Sequence, residues 1–175
     1  MSVKSLSALS ALLGLLVLSG CASAPAAPVM SAVIVPAPQQ KFSQCVPYAR
    51  HRSGLDLYGD AWTWWDNAAG RYQRGPAPRS GAVLVLRRTD RLRHGHVAVV
   101  RDLLDGRRIT VDHANWLSEN DEPELDMGVT DISPANDWSL VRFWNAAANS
   151  WGRPYPAYGF VYRAPGARNA TAAAY

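Results

Sequence analysis

Pro47 constrains this chain more than any other residue, because it falls two positions after a cysteine in Phe42-Ser43-Gln44-Cys45-Val46-Pro47-Tyr48-Ala49-Arg50. Proline has no amide donor, so it sits in or close to the first turn of a helix. Ser43 is a good N-cap, and Tyr48, Ala49 and Arg50 tolerate helix. The spacing predicts a helix that opens just upstream of Pro47, with Cys45 at or near its N-terminus. A thiol there feels the positive end of the helix dipole and nearby amide donors, which favour the nucleophilic thiolate. The stretch suits a catalytic cysteine, and it suits equally a small buried apolar side chain.

The segments on either side set the context. Lys4 precedes an apolar run over 6–18 that is too short to span a bilayer, followed by Leu18-Ser19-Gly20-Cys21. That order resembles a bacterial lipobox. It implies a signal peptide over 1–20 and a lipidated N-terminus at Cys21, with a plain secretory signal or an uncut anchor as the alternatives. Ala22, rather than Asp, favours the outer membrane, with the domain facing the periplasm. Two cysteines in an exported chain would otherwise be read as a disulfide. Lipid on Cys21 leaves Cys45 a free thiol in an oxidising compartment, where it is a liability unless used. Residues 21–40 are Ala/Pro-rich and uncharged, and read as a tether. Residues 41–165 form the folded domain, and 166–175 a disordered tail.

The 175 residues suffice for one domain with a real core. The net charge of +4 is almost all arginine, Lys4 and Lys41 being the only lysines. No basic run marks a nucleic-acid arm, so nucleic acid is not expected as a partner.

Within the domain, the first helix runs to about Arg52 and stops at Gly54. A second is expected from Asp60 as N-cap to Gly70, packing Trp62, Trp65, Ala68 and Ala69 on the core. Residues 75–81 form a loop. Strands are expected over 82–86, 96–101, 107–115, 139–144 and 159–163, with Asp105-Gly106 turning a hairpin. The polar stretch 117–137, with Pro123 and Pro134, reads as a long loop. The fold class is α+β, with N-terminal helices packed on an antiparallel β-sheet.

The hairpin makes strands 96–101 and 107–115 neighbours, so His96 and His113 lie at one edge of the sheet. Alternation puts Ile109, Val111, His113 and Asn115 on one face and Asp112 on the other. A helix-start cysteine, an imidazole base and a polar orienter make a papain-like nucleophilic site of Cys45, His96, and His113 or Asn115. His94-x-His96, with His113 or Cys45 as third ligand, is the competing metal reading. The nucleophilic site already accounts for these groups, so neither metal nor other cofactor is expected. Arg87, Arg88, Arg91 and Arg93 are either an attraction for an anionic wall or a solvated loop.

Several motifs in order resemble the CHAP domain, the cysteine, histidine-dependent amidohydrolase/peptidase. They are Gln44-Cys45-Val46-Pro47-Tyr48, Gly59-Asp60-Ala61, Pro78-Arg79-Ser80-Gly81, Gly95-His96-Val97-Ala98 and Asn115-Trp116. The resemblance spans about 42–163. Many members cut peptidoglycan, as amidases or endopeptidases. CHAP domains commonly carry Glu where this chain has His113, whereas the related NlpC-type peptidases often use a histidine as third group. The resemblance implies a thiol hydrolase that cuts an amide bond of peptidoglycan through a thioester on Cys45. Its partners are muropeptides and, through the lipid, the membrane. A CHAP-like lipoprotein that binds wall or an envelope partner without catalysis is the alternative.

Overall fold

The computed structural model describes residues 41–116 and 122–163. Helix α1, Cys45–Ser53, is followed by a 3-10 turn, Ala61–Thr63, and a single α-turn, α2, Trp64–Asn67. Eight strands follow: β1 Gln73–Gly75, β2 Val83–Leu86, β3 His96–Leu103, β4 Arg108–His113, β5 Glu124–Asp131, β6 Leu140–Asn145, β7 Ser150–Trp151 and β8 Tyr155–Tyr162. Every strand pairing among the described residues is antiparallel. The order β8-β2-β3-β4-β5-β6 closes when β6 pairs with the start of β8, at Leu140 with Pro156 and Val141 with Tyr155. The expected antiparallel sheet thus closes into a barrel, with β1 and β7 as short additions.

The apolar run of β2 explains the layering. All four of its residues are buried. Leu84 and Leu86 fill the barrel with Ala98, Val100, Ile109, Val111, Val129 and Phe143. Val83 and Val85 face outward and pack with Val97 and Val99 against Ala49, Leu55, Leu57, Ala61 and Trp64. A strand buried on both faces loses the period-2 signal, because neither face meets water. The helical layer therefore covers the outside of β2 and β3.

The helices differ from expectation in detail. Gln44, not Ser43, is the N-cap of α1, with no side-chain cap bond, and Cys45 is the first helical residue. Pro47 then falls within the first turn, where its missing amide leaves nothing unsatisfied. Gly54 ends the helix at φ 70, its amide on Arg50 O at 2.9 Å. The second helix shrinks to the 3-10 turn and α2. Its buried residues are Ala61, Trp64 and Ala68, while Trp62 and Trp65 are half-buried and Ala69 exposed. The Trp62 amide bonds outside the turn, to His94 O at 3.2 Å.

The largest departure is β5, which occupies the middle of the expected loop. Its polar residues hide a strand that lies between β4 and β6, with Met127 and Val129 packed inward. Strand β8 begins four residues before the expected 159, because Pro156, a residue that argues against a strand, pairs there at the point of closure.

Candidate active site

Cys45 is half-buried at the start of α1. The amides of Val97, Val46 and Cys45 itself lie against its sulfur and favour the thiolate. Burial outweighs them, so the thiol sits above its ordinary value. This reverses the expectation from helix position alone: desolvation of the charged form exceeds the help of the helix end. The sulfur borders a groove of about 360 Å³ lined by Gln44, Val46, Pro47, Asp60, Ala61 and His94, among others.

His96 opens β3 and points into the barrel with Ala98 and Val100. It is 2 % exposed. Its Nε2 lies 2.9 Å from Nδ1 of His113, which is fully buried at the end of β4. The rings meet edge to face at 5.0 Å. Trp116 lies against both, at 4.7 Å from the His96 ring and 5.7 Å from His113, and itself packs on Phe143 and Tyr155. Burial, and then the neighbouring His113, hold His96 well below the usual imidazole value. Burial likewise lowers His113 to about 4, against the opposing charges of Glu124 and Asp112. Both imidazoles are neutral at pH 7.

Val97 follows His96, so an amide touching the Cys45 sulfur belongs to the residue next to the base. No hydrogen bond between Sγ and His96 is present among the described residues. The residues brought together are therefore Cys45, beside the start of β3, and the bonded pair His96–His113.

Asn115 is not part of that pair. Strand β4 ends at His113, and Asn115 has φ 59, which breaks the alternation that would have placed it beside His113. Its Nδ2 donates to Gln44 Oε1 at 3.3 Å, on the rim of the Cys45 groove. Asp112 faces away as expected, but it is buried, not solvated. Its carboxylate accepts from Arg101 at 2.9 Å, pairs with Arg52 at 3.5 Å and accepts the Asp126 amide at 3.0 Å. His94 is exposed and contacts Asp60 at 3.1 Å, so it and His96 point to different environments. Among the described residues no group of three or more His, Cys, Asp or Glu could hold a metal ion. Arg87 reaches back to Ala157 O at 3.1 Å and lies over the Tyr158 ring, while Arg88, Arg91 and Arg93 are exposed. Cys21 lies outside the described residues.

Sequence reasoning gave no role to the amide of Val97, to the ring of Trp116 or to Glu124, which stands opposite His113 on β5. A backbone amide leaves no side-chain signal. The Asn115-Trp116 pair was visible as a motif. Glu124 was hidden in the expected loop.

No curated protein matches the chain. Residues 36–115 match the model of the CHAP domain, a family of amidohydrolases and peptidases, and this match, which contains Cys45, His96, His113 and Asn115, supports reading that segment as a CHAP domain and the chain as an enzyme.

Proposed function

We propose that the chain is a cysteine hydrolase of the cell envelope that cuts an amide bond of peptidoglycan. The observation that carries this is one arrangement: a thiol at a helix start, ringed by three amides, one of them from Val97, the residue next to an imidazole that is held by a second imidazole at 2.9 Å. That is what a nucleophile, a base and an orienter require.

The chemistry follows from the atoms. His113 engages Nε2 of His96, which leaves Nδ1 as the nitrogen for Cys45. The proton on Nε2 of His96 is donated to Nδ1 of His113, and His113 carries its own proton on Nε2. At rest the thiol and both imidazoles are neutral. When a carbonyl carbon reaches the sulfur, His96 takes the thiol proton as the C–S bond forms. The negative oxygen of the tetrahedral intermediate accepts from the amide of Cys45. Gln44, which precedes Cys45 and whose Oε1 accepts from Asn115, would donate to it through Nε2 as well. The intermediate collapses to a thioester, and His96 passes its proton to the leaving amine. Water, deprotonated by His96, then releases the acid. Anchoring by lipid on Cys21 would hold the domain at the membrane within reach of the wall.

The test is mass spectrometry of purified sacculi treated with the purified full chain, with Cys45→Ala as control. New amine and carboxyl ends, absent with Cys45→Ala, are expected and would name the bond. Unchanged muropeptides across pH and salt would leave wall binding without catalysis as the better reading.

A further inference from the structure

We propose that Glu124 is a positioning residue of this site, the carboxylate that stands behind the His96–His113 pair and stabilises the charge the pair gains when Cys45 gives up its proton. The inference rests on the reading of Cys45 and His96 as nucleophile and base. It adds a residue from outside the segment 36–115 that matches the CHAP domain.

The register of β4 and β5 carries the argument. Val111 stands opposite Met127, and His113 opposite Glu124. Two steps along β4 meet three along β5, so β5 holds one extra residue between those pairs. Asp126, in that interval, has φ 57, and its amide donates to Asp112 Oδ1 at 3.0 Å. This is a β-bulge, a device that re-aims side chains beside active sites. Side chains alternate along a strand. Without the extra residue Leu125 would oppose His113, and Glu124 would face outward. The bulge exchanges them. Leu125 is left 50 % exposed, and Glu124 faces the buried imidazole. A leucine in water and a left-handed Asp both cost stability. What the exchange gains is a carboxylate on the face that holds the histidine pair.

The surroundings fit that role. Glu124 Oε1 accepts the Trp116 amide at 3.3 Å, which ties it to the residue whose ring covers both imidazoles. His113 Nε2, the nitrogen not used for His96, is buried without a hydrogen-bond partner. During attack the S–H bond breaks, an N–H bond forms on His96, and the same proton later goes to the leaving amine. Glu124 exchanges no proton. It opposes the positive charge, which the two imidazoles share and which burial otherwise disfavours. Asp112 cannot serve in the same way, because it faces outward and is engaged by Arg52 and Arg101.

The experiment compares the full chain with Glu124→Gln, Glu124→Asp and Glu122→Gln in two readouts. Alkylation of Cys45 by iodoacetamide against pH needs no substrate. Cleavage of sacculi against pH reports turnover. Among the described residues, the charged groups that act on His113 are Glu124, opposite it on β5, and Asp112, which acts from the outward face of β4 while held by Arg52 and Arg101. Glu124→Gln should slow alkylation at neutral pH about tenfold. Its cleavage plateau should fall while the acid limb moves to lower pH, since imidazoles without the carboxylate are harder to protonate. Glu124→Asp should recover part of both, and the exposed Glu122→Gln should match wild type. A lowered plateau with an unmoved limb would mean a merely structural role and would overturn the proposal. So would wild-type alkylation in Glu124→Gln when His96→Ala is impaired, and that result would leave Cys45 and His96 standing. Slowed alkylation without cleavage of sacculi by any variant would keep Glu124 and remove the substrate reading. If Glu124→Gln does not fold, Glu124→Asp should show the same shifts at smaller size, and an unshifted Glu124→Asp would overturn the proposal.

Discussion

His96 and His113 are buried uncharged, and this ties stability to pH. His113 is held near 4 against an ordinary 6.5, burial being the main cause, and His96 is lowered in the same direction. Between those two values the unfolded chain binds protons that the native chain excludes. Stability is therefore fully present above about 6.5 and is lost as pH falls toward 4. His113 alone contributes on the order of 3 kcal/mol across that window. Urea midpoints of the full chain, taken stepwise from pH 7.5 to 4.5, should fall steadily, and a flat series would contradict the buried pair. Substitution at position 113 separates geometry from charge. His113→Ala should lower kcat on sacculi by about 10² or more, though by less than the ~10⁴ of a serine triad with the wrong tautomer. His113→Glu, which restores the residue common in CHAP domains, places one carboxylate opposite another, and like charges directly opposite destabilise. It should recover little alone and clearly more when combined with Glu124→Gln. At this scale the chain was readable where chemistry is carried by residue type and order, as with Cys45, His96 and His113. The ionisation of Cys45 was not, because burial is set by residues distant in sequence.

Asp112 shows what the elements require of each other. It joins Arg52 on α1, Arg101 on β3 and the Asp126 amide in the β5 bulge. Its removal would leave two arginines without their buried partner and the bulge without its clasp. Asp112→Ala should cost about 3 kcal/mol or more in urea denaturation of the full chain, with activity falling through loss of fold. On sequence alternation the residue merely faces away from the site, so its removal looks harmless, and the burial of that face overturns this. Gly95 is similarly exacting. At φ 66 it sits where an added Cβ would lie 2.6 Å from the Trp62 amide nitrogen. Gly95→Ala should destabilise by at least ~1 kcal/mol, read as a lower Tm, and should loosen the turn that precedes His96. The elements that sequence missed share a cause. Strand β5 is rich in acids, β8 begins among prolines, and both are held by neighbours on either side, which local propensity does not register. Strand β2 was legible because an apolar run too short for most helices has few other uses.

At the scale of the molecule, the proposed anchor and the domain are separable. Cys21→Ser should release the protein from the membrane fraction or leave its precursor uncut, while cleavage of sacculi by the soluble protein persists. A variant still recovered as a mature, lipid-bearing protein would refute the anchor. The closure of the barrel carries one more consequence. Strand β8 lies between β2 and β6, and its last residues reach back to Gln73 and Val83. Contacts that far apart in sequence form late. The Trp116 ring that lies against both imidazoles packs on Tyr155 of β8, so the pocket around the base is completed only when the last strand arrives and the barrel shuts.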